Sequence, residues 1–170
     1  MPVDGFNKKF TELAESILPA HFSRLFEDMK SPFPSAWIRA RGIGPATVLR
    51  KFRKTEDFPG CYVFVENGRP LYVGISRGVI DRLFQHLKSK NHFSSSRAYF
   101  MAEQQNDPGG TRDQNMVNPA FRLLFEAAQK RLEACSIATV QIDNPLELYV
   151  FEAYTAMELR TVEFNTFGTH

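Results

Sequence analysis

The sequence predicts an α+β protein in which a small three-stranded sheet is flanked by helices, with a helical extension at the N-terminus. Two segments, residues 61–66 and 70–74, are rich in β-branched and aromatic side chains and are joined by Asn67-Gly68, a combination typical of a β-hairpin. A third strand is predicted over residues 136–142. Around these strands, apolar residues recur at helical spacing, which predicts the flanking helices.

The first 57 residues predict a helical extension followed by a connection. Apolar side chains recur with a helical period over residues 6–29, and Pro19 interrupts the pattern, so that one kinked helix or two short helices both fit. Prolines and glycines divide the next stretch, in which Gly42-Ile43-Gly44 is similar to the hairpin of helix-hairpin-helix DNA-binding modules. We favour an ordinary turn for so short a motif and interpret the stretch as a structured connection.

The register of the hairpin decides whether its two tyrosines, Tyr62 and Tyr72, share one face of the sheet. A two-residue turn would pair Glu66 with Arg69 and place the phenols on opposite faces. A three-residue loop ending at Arg69 would pair Tyr62 with Gly74 and align both phenols, which a type I turn with a bulge permits. The sequence leaves both registers open.

Helices and one polar loop are expected after the hairpin. Residues 79–88 predict an amphipathic helix whose polar side carries Arg82 and His86, which point the same way because they are four residues apart. A second helix is expected over residues 94–104, capped from a run of serines, and a polar, mobile segment over 105–118. Further helices are predicted over residues 119–134 and from Pro145 to about Thr161.

One carboxylate on the last predicted helix, that of Glu152, stands apart from the other polar side chains. At 100° per residue the others share a sector that we expect to face solvent, and Glu152 lies about 80° beyond its nearest edge. An unpaired carboxylate among apolar neighbours would cost roughly several kcal/mol, so it needs a partner. A divalent cation and an ion pair with Arg82 or another basic side chain are both open. The solvent-facing sector comprises Asn144, Glu147, Thr155 and Glu158.

Charge and composition narrow the classes of partner. From Trp37 to Arg97 there are twelve Lys or Arg against four Asp or Glu, whereas residues 101–170 hold five against ten. This separation fits a polyanion held by one region and a cation by the other, and ordinary scatter of surface charge is the alternative. The two cysteines are too few for a disulfide framework and predict buried thiols. Because neither a transmembrane run nor a secretory h-region is present, we expect a cytoplasmic protein that does not enter a membrane.

The chain contains, in order, Gly60-Cys61-Tyr62, Tyr72-Val73-Gly74, Arg82, His86, Glu152 and Asn165. Together these elements resemble the GIY-YIG nuclease superfamily. The resemblance covers roughly residues 58–167. It implies a nuclease domain over residues 58–170 with an inserted loop and helix at about 104–134, and it leaves residues 1–57 as the extension. In the first motif Cys61 replaces a branched aliphatic residue, and Ile75-Ser76 stands where many members carry a basic residue, for which Arg77 is a candidate substitute.

The resemblance implies a metal-dependent endonuclease that acts on nucleic acid, with DNA as the expected substrate. Glu152 would be the single protein ligand of Mg²⁺ or Mn²⁺. Arg82 would stabilise charge on the phosphate, Tyr62 and His86 would together activate the attacking water, and Tyr72 would contact a phosphate or water. A nucleic-acid-binding module that uses the same basic surface without cleaving is the alternative. Further candidates for substrate contacts are Asn165, which could instead hold Glu152 in place, Arg77 and His92.

Overall fold

The fold is α+β, as the sequence predicts, and its sheet has four strands. A computed structural model describes residues 3–167. The strands are β1 (Phe33–Pro34), β2 (Gly60–Glu66), β3 (Arg69–Ser76) and β4 (Ser136–Gln141), in the order β1-β4-β2-β3. Strand β2 pairs antiparallel with both β3 and β4. These three strands confirm the predicted sheet, and the two-residue β1 is an addition to it.

The helices occupy the predicted positions, with three short additions. Two of these, α3 (Ser35–Arg39) and α4 (Pro45–Lys51), lie in the predicted connection, and α7 (Arg112–Val117) lies in the segment predicted to be a mobile loop. The prediction was wrong for α7 because Thr111 and Gln114 form a capping box that starts the helix. No helix among residues 3–167 is both long and apolar enough to cross a membrane. The helices are α1 (Phe10–Glu12), α2 (Leu18–Met29), α3 (Ser35–Arg39), α4 (Pro45–Lys51), α5 (Val79–Lys88), α6 (Ser96–Gln105), α7 (Arg112–Val117), α8 (Pro119–Ala134) and α9 (Pro145–Leu159).

Helices α1 and α2 form one continuous helical path rather than two separate helices. A π-helical stretch, Leu13–Ile17, joins them, and the backbone at both of its ends is right-handed helical. Pro19 lies in the first turn of α2 and cannot donate a backbone hydrogen bond. The wider π-helical turn just before it accommodates the missing donor, so the helix continues through the proline.

The chain forms two compact units. The first unit contains the described residues up to Phe33, Glu56–Val79 and the chain from Ser136 onward. The second unit contains Pro34–Thr55 and Ile80–Cys135. Compact units and sequence-predicted domains are different divisions of the chain, so the domain boundary at residue 57 stays a prediction.

The core of the first unit joins the N-terminal helices to the sheet. Val63 and Val73 pair across β2 and β3 and face the same side, where Phe151 of α9 packs. Leu13 and Leu25 from the N-terminal helices are buried in the same cluster. The helical part of the predicted extension therefore belongs to the same core as the hairpin.

Helix α8 is the centre of the second unit, where α3, α6 and α7 all contact it. The rings of Tyr99 and Phe121 lie 5.2 Å apart, and both are buried. Asn115 of α7 donates from Nδ2 to the hydroxyl of Tyr99 at 2.8 Å. This bond between α6 and α7 explains why the polar segment is ordered.

Candidate functional site

The hairpin places both tyrosines on one face by combining a tight turn with a bulge. Glu66 pairs with Arg69 across the two-residue turn Asn67-Gly68, and both turn residues have positive φ angles, as a type I′ turn requires. The register then shifts by one residue near Leu71, so that Tyr62 pairs with Gly74. The structure combines the two registers that the sequence leaves open, because the turn has two residues and the bulge still places both phenols on one face. The bulge follows Pro70, which has no backbone N–H for the ladder.

The glycines of the two motifs are required by close approaches. A Cβ atom at Gly74 would lie 2.5 Å from both Cζ and Oη of Tyr62, so the phenol ring crosses directly over this glycine. A Cβ atom at Gly60 would overlap the carbonyl oxygen of Val140 on strand β4. The rings of Tyr62 and Tyr72 lie 6.2 Å apart with their planes inclined at 62°. Gly74 thus fixes the position of the Tyr62 phenol, which is buried.

Glu152 lies in the wall of a cavity of about 460 Å³ in the first unit. Ile75, Ser76 and Arg77 border the cavity from the end of strand β3, and Tyr149 borders it from α9. Arg77 is exposed, and Tyr149 retains 65% of its surface. Tyr62 and Tyr72 are not among the residues that line this cavity in the described part of the chain. The structure therefore brings Glu152 together with Arg77 there.

The phenols lie on the sheet face opposite to α9, the helix that carries Glu152, because Tyr62 alternates with Cys61 and Val63, which pack with Phe151 of α9. The Tyr62 phenol lies over Gly74, and the next two residues of the strand, Ile75 and Ser76, line the cavity. Two residues of extended strand span roughly 7 Å. The charge of Glu152 also raises the pKa of the Cys61 thiol, after the larger effect of burial, which places the carboxylate near the middle of the first motif. The predicted burial of both cysteines is confirmed.

The carboxylate of Glu152 has no protein partner within residues 3–167, where it forms neither a hydrogen bond nor an ion pair. The predicted alternative of an ion pair with Arg82 or another basic side chain is therefore wrong. Burial alone raises the pKa of the Glu152 carboxyl above its ordinary value. A half-buried, unpaired carboxylate facing a cavity suits a divalent cation that takes its other ligands from water and substrate.

No group of three or more His, Cys, Asp or Glu in the described ranges could enclose a metal ion. Asp143 also lines the cavity, but its Oδ1 accepts a hydrogen bond from Gln141 at 2.7 Å. Of the two carboxylates that line the cavity, Glu152 is the one without a hydrogen bond or ion pair within residues 3–167. The single metal ligand that the sequence resemblance implies stays a prediction.

The predicted solvent-facing sector of α9 needs correction. Thr155 is fully buried, and Glu147 is partly buried because its Oε2 lies 2.7 Å from Nε2 of His21 on α2. Glu158 is exposed, as expected. The prediction failed because α2 packs against α9 and covers part of its polar side. Met157, by contrast, retains 77% of its surface.

Asn165 binds the outer edge of strand β3. Its Oδ1 accepts the backbone N–H of Val73 at 2.9 Å, and its Nδ2 donates to the carbonyl oxygen of Val73 at 2.8 Å. The amide thus imitates a neighbouring strand at the middle residue of the second motif. This contact places Asn165 beside the motif, and its predicted contact with substrate stays a prediction.

Arg82 and His86 belong to the second unit, which is described by itself. Arg82 donates to Oε1 of Gln85 at 2.9 Å and to Oγ of Ser96 at 2.8 Å, with a longer bond of 3.4 Å to the carbonyl oxygen of Ser94. These bonds hold the guanidinium in one orientation and use three of its five donors. Nε and one hydrogen of Nη2 remain as donors for further acceptors.

His86 is buried rather than solvated, which corrects the predicted polar helix side. Burial lowers the pKa of its imidazole well below the ordinary value, and the charges of Arg82 and Arg97 lower it further. The imidazole is therefore uncharged at neutral pH.

The predicted capping of α6 by the serine run is wrong for Ser95, whose side chain does not cap the helix. Its hydroxyl instead bonds the carbonyl oxygens of Gln85 and His86 at the end of α5, at 3.1 and 3.0 Å.

His92 is held by protein contacts in the second unit. Its Nε2 lies 3.0 Å from Oδ1 of Asp113, and its ring lies 4.4 Å from that of Phe93. Its side chain is 16% exposed. Sequence reasoning had no signal for the pairing with Asp113, which lies 21 residues away. Whether His92 contacts nucleic acid stays a prediction.

Of the comparisons with known proteins, the one with solved structures finds matches. No protein-family model matches the chain, and no curated protein matches it. Among solved structures, the GIY-YIG N-terminal endonuclease domain of UvrC from Thermotoga maritima matches, both bound to its catalytic divalent cation magnesium and as point mutants bound to the catalytic divalent cation. The match has 22% identity and a TM-score of 0.35, and it covers 70% of this chain and 96% to 97% of the neighbour. These neighbours bear the name of the superfamily that the sequence motifs resemble. A likeness at this TM-score carries no functional conclusion for this chain.

Proposed function

We propose that this protein is a metal-dependent endonuclease that hydrolyses phosphodiester bonds in DNA with GIY-YIG-type residues. The observation that carries the proposal is the unpaired, half-buried carboxylate of Glu152, which faces a cavity at the end of the strand that carries the second tyrosine motif. Such a carboxylate is unfavourable without a cation, and the proposed substrate and metal supply opposite charges to this region.

In this mechanism Glu152 would hold Mg²⁺ or Mn²⁺ through its carboxylate, and Arg77 on the cavity wall would contact the phosphate. When bound, the cation supplies positive charge to the phosphate oxygens and makes a bound water more acidic. Glu152 has to be deprotonated to bind it, and the raised pKa of this carboxyl means that metal affinity falls as the pH is lowered.

The phenols and the basic pair have proposed roles that follow the sequence resemblance. Tyr62, whose ring position Gly74 fixes, would orient and deprotonate the attacking water together with His86, and Tyr72 would contact water or phosphate. The lowered pKa of His86 keeps its imidazole uncharged and makes it a weak base, so at neutral pH it would orient the water by accepting a hydrogen bond. Arg82 would stabilise phosphate charge with its two remaining donors.

Nicking of supercoiled plasmid DNA tests the proposal. We expect cleavage that requires Mg²⁺ or Mn²⁺ and stops on chelation. Glu152→Gln should lower the nicking rate by about 100-fold or more, because it removes the protein ligand of the cation. The positive charge that the cation would supply to the phosphate oxygens is then lost. Glu158→Gln is the matched control, since Glu158 is an exposed carboxylate on the same helix, and its rate should equal that of the wild type.

DNA binding, measured in parallel by fluorescence anisotropy, separates the proposal from its alternative. Loss of nicking in Glu152→Gln with binding retained supports the endonuclease. Unchanged nicking in Glu152→Gln would contradict the metal role. Binding without nicking in any divalent metal would favour the non-cleaving nucleic-acid-binding module.

A further inference from the structure

The two compact units carry opposite net charge. The first unit holds seven Lys or Arg against thirteen Asp or Glu, a net charge of −6, whereas the second holds fourteen against six, a net charge of +8. The uneven charge along the sequence thus becomes a separation between units. A surplus of this size on about 78 residues attracts polyanions over the range of a Debye length.

Within the second unit, positive side chains gather around one cavity of about 360 Å³. Four cationic residues and one carboxylate, Glu126, line it. Phe125 forms part of the floor and is almost fully buried, so it offers no ring face on which a base could stack. The lining therefore suits a compact anion rather than a nucleobase. The cations are Arg39, Lys88, Lys90 and Arg122.

Two of the four cations are held in place by the protein. Arg39 donates to the carbonyl oxygen of Leu87 at 3.1 Å and lies 3.3 Å from Oε2 of Glu133. Lys88 donates to the carbonyl oxygen of Ile43 at 2.5 Å. These bonds tie the end of α5 to the segments 35–39 and 42–44, including the glycine-flanked turn that resembles a helix-hairpin-helix motif. The wall of the cavity is therefore fixed in position.

The other two cations, Lys90 and Arg122, form no hydrogen bond or ion pair within residues 3–167, and both are exposed. Gln129 holds the backbone at Ser89, which lies between the end of α5 and Lys90. Its Nε2 donates to the carbonyl oxygen of Ser89 at 2.9 Å and to Oγ of Ser95 at 3.1 Å. Lys90 and Arg122 thus face the cavity with their full donor capacity. An ammonium and a guanidinium that line the same cavity can both donate to phosphate oxygens.

We propose that this cavity binds a backbone phosphate of a nucleic acid strand, with Lys90 and Arg122 as the ligands and Arg39 and Lys88 as supporting charges. Binding there is independent of base sequence because the lining reads charge alone. The inference does not depend on cleavage, since the cavity residues have no role in the proposed hydrolysis and would serve a non-cleaving protein equally.

The test measures the affinity for a fluorescent DNA duplex by anisotropy, without divalent metal, across a series of salt concentrations. Lys90→Gln combined with Arg122→Gln should remove one phosphate contact. The slope of log K against log salt then becomes shallower by about 0.9, and the affinity at about 0.1 M salt falls roughly tenfold. The same loss is expected for duplexes of different sequence.

Lys51→Gln combined with Lys130→Gln is the matched control. Both lysines are exposed, lie in the second unit outside the cavity and have no described partner within residues 3–167. The control removes the same total charge, so its affinity should stay within about twofold of the wild type. Circular dichroism and urea unfolding establish that all variants are folded, and the single variants Lys90→Gln and Arg122→Gln should each show part of the loss.

Three results would overturn the proposal. Equal losses in the cavity variant and the control would mean that the overall charge of the unit binds DNA. Unchanged affinity in the cavity variant would mean that no phosphate occupies the cavity. Complete displacement of DNA by millimolar inorganic phosphate at constant ionic strength would show that a small anion is the ligand. Because the assay lacks metal, none of these results bears on the cleavage proposal.

Discussion

Replacing Gly74 by Ala tests the placement of the Tyr62 phenol directly. The added Cβ would lie 2.5 Å from Cζ and from Oη, and 2.9 Å from Cε2 of the ring. Carbon atoms in contact normally stand about 3.5–4.0 Å apart, so the overlap is roughly 1 Å at three atoms. The ring is buried and cannot simply swing into solvent. We expect the substitution to lower the free energy of unfolding by about 1–3 kcal/mol, as overpacking does in other cores.

Urea unfolding followed by circular dichroism measures this loss, and thermal unfolding should show a decrease in Tm of roughly 2–12 °C for a chain of this length. A double-mutant cycle assigns its cause. In a Tyr62→Ala background the ring is absent, so Gly74→Ala should then cost less than about 0.5 kcal/mol. Gly44→Ala is the matched control, because a Cβ at Gly44 meets no atom within 4 Å and the backbone there has a φ of −116°.

One outcome refutes this reasoning. Should Gly74→Ala cost as much without the Tyr62 ring as with it, the phenol does not lie over the glycine. The register that pairs these two residues would then be wrong, and the alignment of Tyr62 with Tyr72 would lose its support. A small cost in both backgrounds would lead to the same conclusion.

Two further predictions concern polar groups of the first unit. Asn165→Asp replaces the Nδ2 donor with a charged acceptor opposite the carbonyl oxygen of Val73, so we expect a loss of about 1–3 kcal/mol in urea unfolding and faster hydrogen exchange of the Val73 amide. Unchanged exchange would contradict the edge contact. For Glu152, the folded pKa lies above the ordinary value of 4.5, so the folded state binds more protons and the free energy of unfolding falls as the pH rises from 4.5 through the folded pKa. Glu152→Gln should therefore be more stable than the wild type by about 0.5–2 kcal/mol at pH 7 and no more stable below pH 4, with Mg²⁺ narrowing the difference. A variant that is less stable than the wild type at pH 7 would show that Glu152 has a favourable partner.

The parts of the fold that depend on local chemistry could be predicted from the sequence. Asn67-Gly68 favours the positive φ angles of a tight hairpin turn, and the structure has both. Helix α8 begins at Pro119, after an Asn118 side chain that caps it, where composition alone placed it. The separation of Glu152 from the other polar residues of its helix could also be predicted, from helical spacing alone. The Thr111 and Gln114 pair was a readable capping signal that the polarity of the segment obscured.

The parts that depend on distant contacts could not be predicted. The bulge near Leu71 follows from pairing with β2, and several registers satisfy the same alternation of side chains. Ser95 serves the end of α5 instead of the start of its own helix because α5 lies within reach in three dimensions. Thr155 was expected to face solvent and is buried, one helical turn after the core residue Phe151. Propensity and periodicity describe each segment alone, so they carry no record of these neighbours.

The free-energy cost of leaving the half-buried Glu152 carboxylate unpaired favours a cation at the candidate site. Arg77 borders the same cavity and carries the charge that could neutralise the carboxylate, yet no ion pair forms between them. An ion pair would lower the pKa of Glu152, whereas burial without a partner raises it. The cavity therefore holds a cation and an anion apart, with space between them. A divalent ion at the carboxylate and a phosphate at the guanidinium would satisfy both groups at once, which a simple structural salt bridge would prevent.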